Sequence, residues 1–245
     1  MLSKTKGIVL KTIKYGESSI ITTIFTSELG KLSFIIQGIR STKAKNKRSG
    51  LFQPGMLLDL VIYNHPNKNL QRINEFHADY FYKSLDENVI KNSICLFTIE
   101  LLLRLLPEQA PNSLLFEFSK NYLIALDGAD STEIANYPLF YIINISNILG
   151  FEMIGTHPDE LKVIGLGHNE TIDRMPNEIS VIYQEDFFAL QDLLSINEIE
   201  KISQIKMNSF MRFRLLEWYI SFLNEHLQPF GQIKSLPVLK AVLHG

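Results

Sequence analysis

The segment 38–50, GIRSTKAKNKRSG, is the richest part of the sequence in side chains that can bind a ligand. It carries five positive charges and no negative one within thirteen residues. Closely spaced Lys and Arg neutralise phosphates and release counterions without reading base sequence, so the segment predicts contact with nucleic acid. A solvated connection between two strands is the alternative interpretation. The positive residues are Arg40, Lys43, Lys45, Lys47 and Arg48.

The net charge of -2 hides a strong asymmetry along the chain. Residues 1–83 contain thirteen Lys or Arg and five acids, a balance of +8. Residues 84–245 contain eleven bases and twenty-one acids, a balance of -10. Such a division predicts two parts with different partners. We add three lysines of the basic part to the predicted DNA-binding set, namely Lys11, Lys14 and Lys31.

The sequence contains no pattern of residues typical of a catalytic site. No P-loop, HExxH, GxSxG or complete GxGxxG pattern is present, and Gly165-Leu-Gly-His168 lacks the third glycine. The polar residues between His157 and Asp173 have no recurrent metal-ligand spacing, so a solvated loop is favoured over a metal site. Cys95, the single cysteine, lies in an apolar run and is predicted to be a buried thiol. We therefore predict a protein that is not an enzyme and needs no cofactor.

The composition is that of a globular protein of one large or two ordinary domains. Of the 245 residues, 46% are hydrophobic and 20% are charged. The sequence has no apolar run of the length that spans a membrane, and MLSKTKGIVLK has no signal-peptide core. We expect a cytoplasmic protein.

The first 83 residues have the pattern of a small β-barrel. Short runs rich in Ile, Val, Thr, Phe and Tyr are separated by turns, and Gly30 is free to adopt positive φ in the turn 28–30. Residues 53–55 and 65–69 are predicted turns on either side of the fourth strand. Five strands in this length favour an OB-fold, in which aromatic residues such as Tyr15, Phe34, Phe52 and Tyr63 mostly fill the core. The predicted strands are 7–15, 18–27, 31–39, 56–64 and 70–81.

After residue 84 the hydrophobic period becomes helical. One helix is predicted over 88–106 with Asp86 or Ser84 as its cap, and Asn112 caps the next at 113–126. A third covers 138–149, and the longest runs from about Asn208 to Leu227. In the longest helix Phe210, Phe213, Leu216, Ile220, Leu223 and Leu227 are predicted to form the buried face, opposite Arg214, Glu217, Ser221, Asn224 and Gln228. The prediction is a two-domain α+β protein: a basic OB-fold domain over 1–82 and a mainly α-helical domain over 83–245.

Several elements, in order, resemble the RecO family of bacterial DNA-repair and recombination-mediator proteins. They begin with Gly7-Ile-Val-Leu10, Tyr15-Gly-Glu17, the run from Thr26 to Leu32, and Gly38-Ile-Arg40 before the basic loop. The later elements are Leu51-Phe-Gln-Pro54, the run 100–108 (ELLLRLLPE), Leu149-Gly-Phe151, Ile233-Lys-Ser235 and Val238-Leu239. Together they span nearly the whole chain.

The resemblance implies an N-terminal OB-fold, a C-terminal helical domain and no covalent chemistry. It implies binding to single- and double-stranded DNA, annealing of complementary strands, and contact with the acidic, apolar C-terminal tail of the single-stranded DNA-binding protein. With a partner called RecR, such a protein helps to load the RecA recombinase, here in a cytoplasmic, nucleoid-associated setting. Possible basic residues of a partner-binding groove are Arg104, Lys120, Arg212 and Arg214; ordinary surface or salt-bridge roles are the alternative.

The sequence departs from the family in one respect. Many relatives hold a structural zinc with two CxxC pairs in the loop after the LGF element, whereas residues 155–178 contain no cysteine. We therefore predict an insertion at about 152–182 without zinc, held by a hairpin through LKVIGLG and ISVIY.

Two other classes of function remain open. A protein-interaction adaptor would bind no oligonucleotide through residues 1–83. An enzyme built around the cluster from His157 to Asp173 would retain a metal that is lost when His157 and His168 are changed.

Overall fold

A computed structural model describes residues 2–40, 48–65, 68–154, 162–165, 171–172, 184–196, 198–227 and 229–243. The chain divides into two compact units. Unit 1 comprises Met1–Asp86 and Thr98–Asp127, and unit 2 comprises Glu87–Phe97 and Gly128–Gly245. Because 98–127 groups with the N-terminal residues, the domain ranges 1–82 and 83–245 stay a prediction.

Unit 1 is built on a closed barrel of five strands in the order β1-β2-β3-β5-β4. Strand β3 pairs with β5 in parallel, and the other pairs are antiparallel. The five-stranded OB-type barrel predicted from the sequence is confirmed. The strands are β1 (Leu2–Tyr15), β2 (Ser19–Thr26), β3 (Gly30–Ile36), β4 (Leu57–Tyr63) and β5 (Leu70–Ala78).

Alternation along the strands fills the barrel. Side chains at every second position point inward, and a 3-10 helix at Arg48–Phe52 adds Phe52 to the same core. Burying these aliphatic and aromatic side chains contributes about 1.5–3 kcal/mol each relative to exposure. The core consists of Val9, Ile20, Ile24, Leu32, Phe34, Phe52, Leu58, Leu60 and Ile62.

Two predicted turns use glycine in the left-handed region. Gly30 has a φ of 73° where β2 turns into β3, and Gly55 has a φ of 92° ahead of β4. L-residues with a Cβ rarely adopt these angles, which explains glycine at both positions. The predicted turns at 28–30 and 53–55 are confirmed.

Six α-helices follow in the described ranges. A second 3-10 helix lies at Ile199–Gln204. None of the helices in these ranges has both the length and the apolar character needed to cross a membrane. The helices are α1 (Val89–Leu105), α2 (Ser113–Gly128), α3 (Tyr137–Ile148), α4 (Gln184–Leu194), α5 (Ser209–His226) and α6 (Leu236–Leu243).

The cap of α1 differs from the prediction. Asn88, not Asp86 or Ser84, accepts hydrogen bonds from the backbone N–H groups of Ile90 and Lys91, at 3.0 and 3.1 Å. Ser84 instead donates its hydroxyl to the Asp127 carbonyl oxygen at 2.9 Å. The predicted cap at Asn112 is confirmed by a bond from the N–H group of Leu115. Asn208, predicted only as the approximate start of the longest helix, accepts from the N–H group of Met211 and caps α5.

Helix α5 is buried over more of its circumference than one helical face. Phe210, predicted to be buried, is 65% exposed. Trp218, Tyr219 and Phe222, which the predicted face omits, are buried together with Arg212. The prediction of that face was therefore wrong in part, because a helix packed on several sides shows no single apolar stripe. Cys95 is buried as predicted.

The described part of the predicted insertion contains three short strands. These are β6 (Phe151–Ile154), β7 (Lys162–Gly165) and β8 (Thr171–Ile172), with β7 in the centre. Strand β7 covers the first half of the predicted hairpin and pairs with β6 and β8. The other predicted half, ISVIY, lies outside the described residues, as does most of the polar segment 157–173.

Candidate nucleic-acid interface

One outer face of the barrel combines apolar and basic side chains. Across β1, β2, β3 and β5, the paired positions Ile13, Ile21, Ile35 and Arg72 form one row. Paired residues of neighbouring strands point to the same side of a sheet. The alternate row contains Thr22, Phe34 and Gln71, which are buried, so the isoleucine row points outward.

A second outward row lies beside the first. It joins Lys11 of β1 to Thr23, Ser33 and Leu70 on the next three strands. Tyr15, at the end of β1, is 53% exposed and points to the same side as Lys11. We call the outward residues of these rows the strand face: Lys11, Ile13, Tyr15, Ile21, Thr23, Ser33, Ile35, Leu70 and Arg72.

The flanks of the basic loop are attached to the barrel beside the strand face. The backbone N–H of Arg40 donates to the carbonyl oxygen of Ser18 at 2.9 Å, next to the turn between β1 and β2. On the return side, the hydroxyl of Thr12 donates to the carbonyl oxygen of Phe52 at 2.7 Å. Lys43, Lys45 and Lys47 lie outside the described residues, and Arg48 begins the 3-10 helix.

The connection between β4 and β5 is organised around a buried side chain. Gln71 donates to the carbonyl oxygens of His65 and Lys68, both at 2.7 Å, and accepts from the N–H of His65 at 3.1 Å. Lys68 is exposed. Because Gln71 precedes Arg72, this bonding holds Lys68 at the β5 end of the strand face.

The predicted basic residues do not all share one surface. Lys11 belongs to the strand face, whereas Lys14 extends from the opposite side of β1. Lys31 is only 9% exposed, and its ammonium pairs with Glu108 at 3.2 Å and donates to the Leu103 carbonyl oxygen at 3.3 Å. Since its charge is engaged within unit 1, we leave Lys31 out of the surface proposed below.

The predicted partner-binding residues also separate. In unit 1, Arg104 pairs with Glu100 at 3.5 Å and Lys120 pairs with Asp79 at 2.5 Å. In unit 2, Arg212 is buried, while the Arg214 guanidinium lies 4.4 Å from the centre of the Phe210 ring. A groove made by all four residues stays a prediction.

The four barrel aromatics named in the sequence analysis divide evenly between core and surface. Phe34 and Phe52 are buried, but Tyr15 is 53% and Tyr63 is 39% exposed. Tyr63 pairs with Arg72 across β4 and β5, and its hydroxyl donates to Asn74 at 2.8 Å. The expectation that most of these rings fill the core was therefore only half right.

A second outer face of the barrel has a different charge pattern. Lys6, Asp59 and His77 are paired across β1, β4 and β5. A surface cavity of about 450 Å³ there is also lined by Lys4, Glu28 and Glu75. Positive and negative side chains lie side by side on this face, so their electrostatic potentials largely cancel. This face therefore attracts a polyanion less than the strand face does.

Sequence patterning missed most of the strand face. Ile13, Ile21, Ile35 and Arg72 are distant in sequence, and only the barrel register brings them together. A usable signal was the pair of adjacent isoleucines in β2 and again in β3, since one of each pair must point outward. Among the described residues, no group of His, Cys, Asp or Glu could hold a metal ion.

The closed barrel, its basic outer face and the helices that follow define an OB-fold protein with an added helical region. Comparison with known proteins then gives the family. Residues 1–80 match the family model described as Recombination protein O N terminal, and residues 87–157 match Recombination protein O C terminal. The chain belongs to the RecO family.

Curated relatives match over almost the full length of both chains. The DNA repair protein RecO of Phocaeicola vulgatus is 31% identical over 240 residues, covering 98% of each chain. That of Bacteroides fragilis is 32% identical over 242 residues, again covering 98% of each chain. That of Flavobacterium psychrophilum is 29% identical over 247 residues, covering 99% of each chain. The family therefore places the chain among DNA-repair proteins.

Proposed function

We propose that the protein binds DNA through the strand face and the adjoining basic loop. The observation that carries this proposal is the outward row Ile13–Ile21–Ile35–Arg72. Arg40, the first cation of the basic segment 38–50, is fixed beside this row by its bond to Ser18. Exposed apolar surface suits the faces of unpaired bases, and the flanking cations suit phosphates. The same outer surface of strands 2 and 3 binds oligonucleotides in OB-folds generally.

The proposed mechanism is electrostatic and passive. Lys11, Arg72, Lys68 and the loop cations would hold a strand by its phosphates, and Tyr15 or Tyr63 would stack on bases. Charge neutralisation lowers the repulsion between two strands, which favours annealing of complementary sequences. When the logarithm of the binding constant is plotted against the logarithm of the salt concentration, six phosphate contacts to single-stranded DNA give a slope of about -4. We call this the salt slope.

The wider role proposed is that of a recombination mediator. The names of the relatives and the two family matches support a role in repair, and the acidic helical part supports a separate site for proteins. We propose that the protein contacts the C-terminal tail of the single-stranded DNA-binding protein and RecR, and that it helps to load RecA. Association with the nucleoid in the cytoplasm is part of the same proposal.

The test is fluorescence anisotropy with a labelled single-stranded oligonucleotide at several salt concentrations. Two variants probe the surface: Arg72→Ala on the strand face, and a loop variant with Lys43, Lys45, Lys47 and Arg48 changed to Ala. Lys4→Ala is the matched control, since Lys4 is exposed on β1 but lines the cavity on the second outer face of the barrel, beside Lys6 and Asp59. Each lost phosphate contact should reduce the slope by about 0.7.

We expect a flatter salt slope for Arg72→Ala and the loop variant and an unchanged slope for Lys4→Ala. If all four proteins give one slope, the strand face is not the binding surface. If the wild type binds no oligonucleotide, the DNA proposal fails and an adaptor that acts only through protein contacts replaces it.

A further inference from the structure

Unit 2 contains a buried arginine without an acidic partner. Arg212 is 7% exposed, and its Nε donates to the Asn136 side-chain oxygen at 2.9 Å. Its Nη2 donates to the Met207 carbonyl oxygen at 3.0 Å. Both acceptors are neutral, and no carboxylate of the described residues lies within 4.0 Å of this guanidinium.

This arrangement is costly unless an anion completes it. Buried charges are normally paired, because removal from water penalises the ionised form. Burial lowers the pKa of the Arg212 guanidinium, but arginine remains charged at neutral pH. Nη1 has no acceptor among the described residues, so part of the donor fork is available to a ligand.

Arg212 lines a surface cavity of about 660 Å³. Helix α5 begins at this cavity: Asn208 caps the N–H of Met211 at 2.8 Å, and both residues line the cavity. The Met211 N–H is satisfied by this cap, and what the amino end of α5 contributes is the positive end of the helix dipole, which attracts anions. Two exposed residues of opposite charge, Glu133 and Lys206, also line the cavity, so its net positive charge equals that of Arg212.

The cavity walls are rigidly positioned. Asn136 accepts from Arg212 and donates to the Ile205 carbonyl oxygen at 2.8 Å, which holds the segment after the second 3-10 helix. Ser203 and Gln204 add a hydroxyl and an amide donor on exposed positions of the rim, whereas the Thr132 hydroxyl donates to the Asp130 carboxylate at 2.7 Å. Such a donor set exceeds what one carboxylate accepts and suits the several oxygens of a phosphate.

We propose that this cavity binds a phosphate group, free or carried by a nucleotide, between the Arg212 guanidinium and the amino end of α5. The volume exceeds that of phosphate alone and falls within the usual range of small-molecule sites. The site is independent of the strand face, which lies in unit 1. Loss of oligonucleotide binding by the barrel would therefore leave this proposal unaffected.

The test is isothermal titration of the full chain at constant ionic strength. The probes are inorganic phosphate, deoxyadenosine monophosphate, deoxyadenosine and acetate. Gln204→Glu places a negative charge on the exposed rim and leaves Arg212 in place, so we expect the fold to be preserved. Gln232→Glu makes the same change at an exposed position that does not line the cavity.

We expect saturable binding of phosphate and of the nucleotide by the wild type. One added charge close to the ligand should weaken binding about tenfold in Gln204→Glu, and Gln232→Glu should match the wild type. Tighter binding of the nucleotide than of phosphate would identify a nucleotide as the source, and equal binding would identify free phosphate. Three results would overturn the proposal: no saturation, equal affinities in the two variants, or acetate binding as tightly as phosphate, which would indicate a carboxylate ligand such as a peptide terminus.

Discussion

At the residue scale, Asp127 organises the connection between the barrel and the helices of unit 1. Its carboxylate accepts the backbone N–H groups of Lys83, Ser84 and Leu85 at 2.9–3.0 Å, and the Tyr80 hydroxyl at 3.1 Å. Burial by itself would raise the pKa of Asp127, but these hydrogen bonds outweigh burial and hold the pKa below its ordinary value. The ionised form therefore stabilises the folded state.

Asp127→Asn should lower the free energy of unfolding at pH 7 by about 1–3 kcal/mol, because one acceptor oxygen becomes a donor facing backbone N–H groups. A folded-state pKa below the unfolded value gives stability that is complete above the ordinary value of 3.8. This stability is lost as the pH falls through the folded-state pKa. The difference in free energy of unfolding between wild type and variant should therefore disappear as the pH is lowered.

Urea unfolding followed by circular dichroism between pH 7 and strongly acidic conditions measures this gap. Asp86→Asn is the matched control, since Asp86 is exposed close to the same connection. A gap that stays constant with pH, or an equal loss in Asp86→Asn, would contradict the assigned role of Asp127.

The burial and the partners of two positively charged side chains could not be predicted from the sequence. Lys31 and Arg212 are both buried, and each bonds to a group far away in sequence: Lys31 pairs with Glu108, and Arg212 donates to Asn136. Charge is visible in a sequence, but its partner depends on which segments the fold brings together. By contrast, Cys95 lies in a continuous apolar run, and its burial could be predicted from that run alone.

At the scale of the element, the turn between β2 and β3 contacts the segment that joins α1 to α2. The N–H of Gln109 donates to the Lys31 carbonyl oxygen at 3.1 Å. A Cβ at Gly30 would lie 2.5 Å from the backbone of Ala110. Gly30 is therefore required by close packing as well as by its φ of 73°.

Gly30→Ala and Gly38→Ala form a matched pair that separates these two requirements. Gly38 has a φ of 72°, but a Cβ there would meet nothing within 4 Å. Gly38→Ala should cost about 1–2 kcal/mol for the left-handed backbone alone. Gly30→Ala should cost about 1–3 kcal/mol more, because the segment at Ala110 must move. Denaturant midpoints measure both costs, and equal values would show that the Ala110 contact is not rigid.

The five barrel strands and helices α1, α2, α3 and α5 could be predicted from periodicity and turn residues. The start of β1 at Leu2, helices α4 and α6, and the register were not predicted. A bulge between Val9 and Lys11 changes which side of β1 faces outward, and Ile8, Val9 and Leu10 are all buried around it. The parallel pairing of Ser33 and Ile35 with Leu70 and Arg72 joins segments separated by a whole strand. The strand face depends on both features, so a pattern within a single strand can indicate an outward residue but not which residues of other strands lie beside it.

At the scale of the whole molecule, the separation of charge is the property that sequence alone established best. Residues 1–83 have a balance of +8, and three of their cations, Lys11, Lys68 and Arg72, are exposed in unit 1. The grouping of residues 98–127 with the barrel could not be predicted from the sequence, because it depends on contacts between distant residues, such as the rings of Phe25 and Phe116. The family could be identified from ordered short motifs, which need no knowledge of packing.

If the strand face and the loop hold one continuous strand of DNA, their contributions to the salt slope should add. Each cation that neutralises a phosphate contributes about 0.7 to the slope for single-stranded DNA. Changing Lys11 and Arg72 to Ala should then reduce the slope by up to about 1.4, and the four-residue loop variant by up to about 2.8. The protein with all six changes should lose the sum, about 4.2. Anisotropy titrations with one short oligonucleotide measure the four slopes. If the two regions instead held separate strands, either partial variant would keep the full slope of its intact region, and the losses would not add.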